Sequence, residues 1–561
     1  MVRRLLTAGI LGAALAGATA LPVLAQGLAG PYLAATAANA DNDFKEAGRY
    51  YVQAMAADRE NGFLRQSAMV AFVSAGDFSI AQNIAKAIEA LEPDNVYADL
   101  VLTVERVNAG DYDGALAAFP PDDSQLSPML WNLMRAWILL GQGDTAAALA
   151  GFDNMSQNET IALYGRYNKA LALAYTGDMD GAAAILAGNG ETPLHLNIGS
   201  IVAHVQILSE LGRNTDALAV LDGAAKRGFR DARLQDLRAE LEAGKSLRFT
   251  QVDDPSYGMA EALVTIAEAL SRDTPNRLAL FYARLAQQLR PDSVEATMLV
   301  GDILERTSQY ALAEEAYAAV PRDSSEYKNA NIGRAEVLRK KGDIAGATDI
   351  LEALAKEFPQ DINVLNALGD IYRGADNYKD AIQAYSLAID LLENPPAGYW
   401  VLYYARGISY EQTDQWPEAE ADLRRALELS PDQPQVLNYI GYSFLEMREN
   451  LDEAQKMIET AAARMPDNGY IIDSLGWMFY RLGKFEQAVA PMEKAVRLMP
   501  DDPIINDHFG DVLWKVGRKR EAAFQWRRSL SFNPEPEDAA RTLRKLEVGL
   551  DVVLEEEAAG R

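Results

Sequence analysis

Three histidines, His195, His204 and His508, are the side chains in this sequence most readily turned to general-base work or metal ligation. None of them sits in an HExxH or comparable ligand spacing, so a packing or surface role is expected for each. His195 and His204 are the residues on which turnover would depend if an enzyme site lay in the N-terminal half. Carboxylates are plentiful, yet no pair stands out from ordinary helix-surface charge. There is no phosphate-cradling GxxxxGK(S/T), no GxGxxG after a strand and no GxSxG. The chain has no cysteine, which excludes disulfides, thiolate metal sites, a Cys nucleophile and acylation at a lipoprotein cysteine. Asn154 in "NMS" and Asn158 in "NET" match the glycosylation acceptor pattern, which is short enough to arise by chance. No catalytic residue, cofactor or metal site is expected.

What the chain does space regularly is small, aromatic and proline residues. "SLGWMFYRLGKFEQAVAPMEKAVRLMPDD" (474–502) returns thirty-four residues later as "HFGDVLWKVGRKREAAFQWRRSLSFNPEP" (508–536). Small residues recur at Ala267, Gly301, Ala335, Gly369, Gly407, Gly441, Gly476 and Gly510. An alanine follows each by twelve or thirteen residues, at Ala279, Ala313, Ala347, Ala381, Ala419, Ala454, Ala488 and Ala522. Prolines close most units, at Pro291, Pro359, Pro431, Pro466, Pro500 and Pro534.

This ladder resembles the tetratricopeptide repeat, and the resemblance implies an all-α, right-handed superhelical solenoid of antiparallel helix pairs. In each pair a Gly or Ala of the first helix is expected to face the Ala of the second. Large residues such as Tyr372, Tyr385, Tyr410 and Phe479 then fill the space beside that contact, and the proline starts the next unit. Eight repeats are expected over residues 260–536. Residues 26–243 read as about six divergent helical pairs, marked by Ala47, Ala81, Ala115, Ala148, Ala182 and Ala217 and by turns such as "AGDF" and "TGDM". Residues 244–259, with Gly and Pro and no helical period, are the expected linker. Residues 537–561 read as a capping helix and tail, with Leu543, Leu546, Leu550 and Val553 at helical spacing.

In the tetratricopeptide family the concave face is lined by exposed positions of the first helix. Carried onto this sequence, the resemblance implies partner-binding positions at Tyr404, Ile408, Asn438, Tyr442, Tyr470, Trp477, Tyr480, Asp511 and Trp514. Aromatics suit such a surface because they bury much area with few torsions to freeze. The Lys, Asn and Arg clamp that some family members use on a C-terminal carboxylate is not matched at these positions. A basic run at Lys515, Arg518, Lys519, Arg520, Arg527 and Arg528 is set against Glu521 alone. It is expected to be a solvated helix face, to dock an acidic partner, or to lie against anionic lipid.

Composition bounds the partners. Asp and Glu outnumber Lys and Arg by 81 to 53, a formal charge of −28, so nucleic acid is not an expected partner. The N-terminus, "MVRRLLTAGILGAALAGATALPVLAQ", places Arg3 and Arg4 before an apolar stretch with a small-residue exit at Ala25. That is the layout of a signal peptide over 1–25, giving a periplasmic or secreted protein after cleavage, or a membrane-anchored one if it stays uncleaved.

The text of "VLYYARGISYEQTDQWPEAEADLRRALELSPDQ", "LNYIGYSFLEMRENLDEA" and "IIDSLGWMFYRLGKFEQAV" is similar to exported tetratricopeptide proteins of the Gram-negative envelope. Among them are adaptors of a carboxy-terminal processing protease that trims cell-wall hydrolases. The resemblance implies a scaffold or adaptor that binds envelope proteins, with such a protease and hydrolases among the candidates. Those adaptors are typically lipoproteins, and this chain has no Cys to acylate, so membrane contact by that route is excluded. A structural component of an exopolysaccharide or outer-membrane secretion apparatus is the alternative.

Overall fold

The computed structural model describes residues 27–559, apart from 93, 120–127, 158, 189–192, 230 and 273–275. The expected signal peptide (1–25) and the acceptor Asn158 lie outside the described residues. Among the described residues the chain forms 31 α-helices, two short 3-10 turns and no strand. Two compact units divide at Gly342/Asp343.

In the first unit, α1 (Ala29–Ala40) to α12 (Asn214–Lys226) follow one another as helix pairs. The "GD" turns explain how each pair is closed. Gly110, Gly143 and Gly177 take positive φ (74°, 88° and 95°), a conformation that stops the first helix and that only glycine adopts freely. The next Asp then accepts a backbone N–H from the first turn of the second helix: Asp111 from Gly114, Asp144 from Ala147 and Asp178 from Gly181.

Residues 245–254 are not helical, yet they lie inside the first unit and are fastened to α11 (Ile198–Glu210). The backbone N–H groups of Leu247, Phe249 and Thr250 donate to Ser209 Oγ (2.9 Å), Glu210 Oε2 (2.7 Å) and Gln206 Oε1 (3.1 Å). Leu247, Phe249 and Val252 are buried. This strap leads into α14 (Pro255–Ser271), which is buried nearly all round. It packs on α7 (Pro128–Gly141) and α9 (Glu159–Tyr175), the first helices of two earlier pairs. At the closest approach a Cβ on Gly258 would stand 2.4 Å from the Trp137 ring, so only glycine fits. Tyr167 donates to Glu261 Oε1 (2.8 Å), and Trp137 Nε1 donates to Asn168 Oδ1 (2.8 Å). The next helix, α15 (Arg277–Leu289), packs on α3 (Gly62–Ala75) and α5 (Val96–Asn108), with Phe281 edge-on to Tyr97 at 5.5 Å. Residues 255–289 thereby cover the first helices of the N-terminal pairs and share one core with them.

In the second unit the pairs are α20 (Ile362–Gly374) with α21 (Tyr378–Asp390), and α22 (Trp400–Glu411) with α23 (Trp416–Leu429). They continue as α24 (Pro434–Met447) with α25 (Leu451–Arg464), α26 (Gly469–Arg481) with α27 (Phe485–Leu498), and α28 (Pro503–Lys515) with α29 (Lys519–Ser531). First helices of successive pairs pack on one another (α20 on α22, α24 on α26, α26 on α28), which makes them the inner face of the stack.

The expected Gly–Ala contact within each pair needs correcting. The alanines at 381, 419, 454, 488 and 522 are fully buried, but the side chain that occupies the glycine's space stands four residues later. A Cβ on Gly369, Gly441, Gly476 or Gly510 would meet Tyr385, Ile458, Met492 or Trp526 at 2.4–2.8 Å. The alanine contributes its backbone instead: its carbonyl lies 3.1–3.2 Å from a Cβ built on Gly441 or Gly407. The small residue on the first helix is therefore a socket for a large one on the second.

The expected capping helix is two helices, α30 (Pro536–Val548) and α31 (Leu550–Ala559). Leu550 and Val553 are buried, as their spacing suggested, but Leu543 is 52% exposed. The residues of α30 that are buried are Thr542 and Lys545, because Thr542 donates to Asp507 and Lys545 reaches both Asp507 and Asp511 of α28.

Candidate functional site

The inner face of the second unit gathers the aromatic side chains of successive first helices. Tyr404 on α22 is half-buried and meets Trp400 (5.8 Å) and Tyr439 of α24 (5.9 Å, edge-on). Ile408, one turn on, is half-buried beside it. Tyr439 donates to Glu411 Oε2 at 3.0 Å, which bridges the two helices. Next to it, Asn438 Oδ1 is buried with no hydrogen-bond partner. Tyr442 is half-buried, and its hydroxyl is pushed above the usual tyrosine range by burial and by Glu446 and Asp473. Tyr404 is raised by burial as well. These phenols are therefore neutral donors at ordinary pH.

Further along, Trp477 is only 7% exposed. Its ring is stacked between Tyr480 (4.5 Å, 11°) and His508 (3.9 Å, 12°), and its Nε1 donates to Glu446 Oε1 at 2.9 Å. His508 lies 3.0 Å from Asp473 Oδ2. Burial works to lower the pKa of His508, but Asp473, Asp507 and Asp511 together outweigh it and hold the ring above its usual value. The stack thus sets an imidazole whose protonated form the three aspartates favour against an indole face. Tyr470, at the start of α26, is 56% exposed and stands apart from this cluster.

Asp511 and Trp514 are placed otherwise than a partner-binding role requires. Asp511 has no exposed surface: Lys545 Nζ lies 2.7 and 2.8 Å from its oxygens, Arg541 3.6 Å away, and Trp526 Nε1 donates to it at 2.9 Å. Burial pushes its carboxyl up, while Lys545 and Arg541 pull it back. Trp514 is half-buried, with Nε1 donating to Asp551 Oδ2 at 2.9 Å and Lys519 above its ring at 4.5 Å. Both residues dock the terminal helices.

The basic run is likewise divided. Lys515 pairs with Asp551 (2.6 Å), Arg518 with Glu493 (3.2 Å) and Glu521 (2.8 Å), and Arg528 lies over Phe532. Arg520 and Arg527 are exposed and, among the described residues, have no carboxylate within ion-pair distance, with the 61% exposed Phe524 between them on α29. A helix turn brings these three to one outward face.

His195 and His204 lie in the first unit, 3.1 Å apart, remote in sequence from the aromatic face. Trp400, Tyr439 and His508 belong to the aromatic cluster and were missed by the positional frame. The signal that would have found Tyr439 is the interval of thirty-five residues from Tyr404, one repeat on the same face. Among the described residues no group of three or more His, Asp or Glu side chains is arranged to hold a metal ion, and no helix is long and apolar enough to cross a membrane.

Stacked helix pairs that present side chains on their first helices, with large residues socketed against small ones, define a repeat scaffold rather than a closed active-site fold. Residues 332–396, 400–433 and 445–503 match tetratricopeptide repeat families, so these segments of the chain are tetratricopeptide repeats. The chain is similar to a tetratricopeptide repeat-containing protein of Pseudomonas aeruginosa, 28% identical over 34% of this chain and 31% of that relative. It is also similar to a lipoprotein NlpI homolog of Haemophilus influenzae, 34% identical over 16% of this chain and 27% of that protein. The match therefore spans less than a third of either relative's length. Among solved structures, a tetratricopeptide repeat protein from Parabacteroides merdae aligns with a TM-score of 0.38 at 19% identity, over 45% of this chain and 98% of that one.

Proposed function

We propose that the chain is an exported scaffold that binds envelope proteins on the inner face of its second unit and holds them near one another. The observation that carries this reading is a contrast between the two units. In the first, α14 and α15 cover the first helices of the N-terminal pairs. In the second, Tyr404, Ile408, Tyr442 and Tyr480 remain half-buried on the corresponding face. Partly exposed aromatics on a preformed surface are what a peptide or protein ligand can bury at low entropic cost. Binding two proteins to one frame raises their effective concentration with no chemistry by the scaffold. The leader-like N-terminus and the likeness to envelope adaptors support export. A processing protease and the hydrolases it trims are the partners that likeness suggests. The Haemophilus relative is named a lipoprotein; this chain has no cysteine to carry a lipid, so the proposed form is not lipid-anchored.

The test is crosslinking of the full chain in its native envelope beside a Tyr404→Ala/Tyr442→Ala variant whose melting curve is checked. A protease or hydrolase captured by the native chain and lost from the folded variant supports the adaptor reading. Partners that persist with the variant refute the aromatic face as the binding surface. Capture of secretion or polysaccharide machinery alone refutes the adaptor role in favour of a structural one.

A further inference from the structure

One corner of the inner face of the second unit is only partly satisfied from within the chain. Tyr404, Ile408 and Glu411 follow one another at helical spacing on α22, which places them on one face of that helix. Trp400 adjoins Tyr404 at 5.8 Å with the rings tilted by 48°, and Tyr439 reaches across from α24 to meet Tyr404 edge-on at 5.9 Å. All of these side chains are half-buried. Trp477, by contrast, has stacked rings on either side of it. Tilted and edge-on neighbours make a corner and leave ring faces, the negative side of the π quadrupole, without a stacking partner.

Glu411 closes the corner. Both of its hydrogen bonds end on Oε2, from the Tyr439 hydroxyl at 3.0 Å and from Gln412 Nε2 at 2.7 Å. Among the described residues Oε1 has no donor, and no basic side chain lies within ion-pair distance of this carboxylate. Nor is Oε1 a buried atom. Helices α20, α22 and α24 carry only two basic residues, and both are compensated. Arg373, which acts on the Tyr404 hydroxyl, pairs with Asp370 at 3.2 Å. Arg406 pairs with Asp422 at 2.6 Å and lies over Tyr403 and Tyr410, on another face of α22. Across residues 343–514 acidic side chains outnumber basic ones by more than two to one, so the field over this face draws cations. An unpaired carboxylate beside uncovered ring faces complements a cation carried on an apolar stem.

We infer that this corner receives a lysine or arginine side chain from a protein segment bound along the inner face, its stem against Tyr404 and Ile408 and its charged head on Glu411 Oε1. The inference rests on the proposed use of this face as the binding surface, and it adds the chemistry of the partner, which is a basic segment.

The test uses the full chain labelled with ¹³C-methyl isoleucine, with Ile408 assigned through Ile408→Val. Acetyl-Gly-Lys-Gly-amide is titrated beside its arginine, norleucine and glutamate counterparts. The lysine or arginine peptide is expected to move the Ile408 methyl and leave that of Ile504, on α28, unmoved. The norleucine and glutamate peptides should bind more weakly by about tenfold. Tighter binding of the lysine peptide identifies an ammonium head, and tighter binding of the arginine peptide a guanidinium. Glu411→Gln, which keeps an acceptor for Tyr439, should weaken the cationic peptides by about tenfold. The norleucine comparison is made on the native chain and needs no variant. The inference is overturned if no cationic peptide moves Ile408, if norleucine binds as tightly as lysine, or if Glu411→Gln binds unchanged. Crosslinking in the envelope separates it from the scaffold reading. Partners lost from Tyr404→Ala/Tyr442→Ala but kept in full by Glu411→Gln leave the face as the binding surface and overturn the basic segment; partners lost from both support it.

Discussion

Lys545 is the residue whose loss should most weaken the end of the stack. Its side chain is fully buried, with Nζ 2.6 Å from Asp507 and 2.7 Å from Asp511. Lys545→Met keeps the shape and most of the apolar stem but leaves Asp511 in the core, opposed only by Arg541 at 3.6 Å and the Trp526 N–H. Removing one partner of a buried ion pair typically costs 3–5 kcal/mol. Here a ceiling can be worked out, because an uncompensated carboxylate can take up a proton instead of remaining charged. From an unfolded-state pKa near 3.9, protonation at pH 7 costs about 4 kcal/mol, and at pH 5 about 1.5 kcal/mol. With Arg541 still present, a loss of about 3 kcal/mol is expected at pH 7, shrinking to about 1.5 kcal/mol or less at pH 5. Hydrogen exchange of the α30 amides, corrected for intrinsic rate at each pH, reads the opening free energy locally. Adding Asp511→Asn should restore most of the loss at pH 7, since no charge is then left unpaired. A loss equal at both pH values, or a double variant as weak as Lys545→Met, would show that packing and not charge holds the cap.

The histidines should respond to acid in opposite senses. His204 titrates near 4 in the folded chain and near 6.5 unfolded, so protons bind preferentially to the unfolded state and the first unit should lose about 2 kcal/mol from this residue between pH 7 and pH 5, read by urea melts. His508 is raised above 6.5, so its contribution to the second unit is full below that pH and is lost as pH rises through the folded value. Asp473→Asn should lower the His508 pKa, visible in ¹⁵N-histidine spectra; an unchanged titration would refute Asp473 as the partner that holds the proton. Asn438→Leu removes a buried carbonyl that has no partner, so it should leave the melting temperature unchanged or raise it; a fall of several degrees would mean that Oδ1 is satisfied in solution. Gly258→Val should destabilise the first unit by 3 kcal/mol or more, on the order of a severe overpacking, because Trp137 fully occupies the space its side chain needs.

The all-helical repeat fold was legible because a glycine or alanine at one place in each first helix and an alanine at one place in each second helix recur with the period of the pair. What the period did not show is which side chain the glycine admits, since the socketed residue is Tyr385, Leu423, Ile458, Met492 or Trp526 by turns. Variety of that kind leaves no repeated letter, only a repeated size. Periodicity was also silent on α14, whose contacts with α7 and α9 join residues about a hundred positions apart. Composition could have exposed it, because "MAEALVTIAEAL" is apolar on too many sides for a helix with one face in water.

The same distinction governs the site. Counting positions along each first helix selects the inner face but not the exposure of its members, which depends on what the neighbouring helix sends across. Tyr404 keeps exposed surface because Tyr439 of the next first helix meets it only edge-on. Trp477 is sealed because His508, one repeat on, stacks on it and is held there by Asp473. Asp511 is sealed because the stack ends beside it and a lysine from α30 closes the end. A partner-binding surface in a repeat protein is therefore read from pairs of repeats, and the last repeat, whose neighbour is a cap, is the one where a positional rule should fail first.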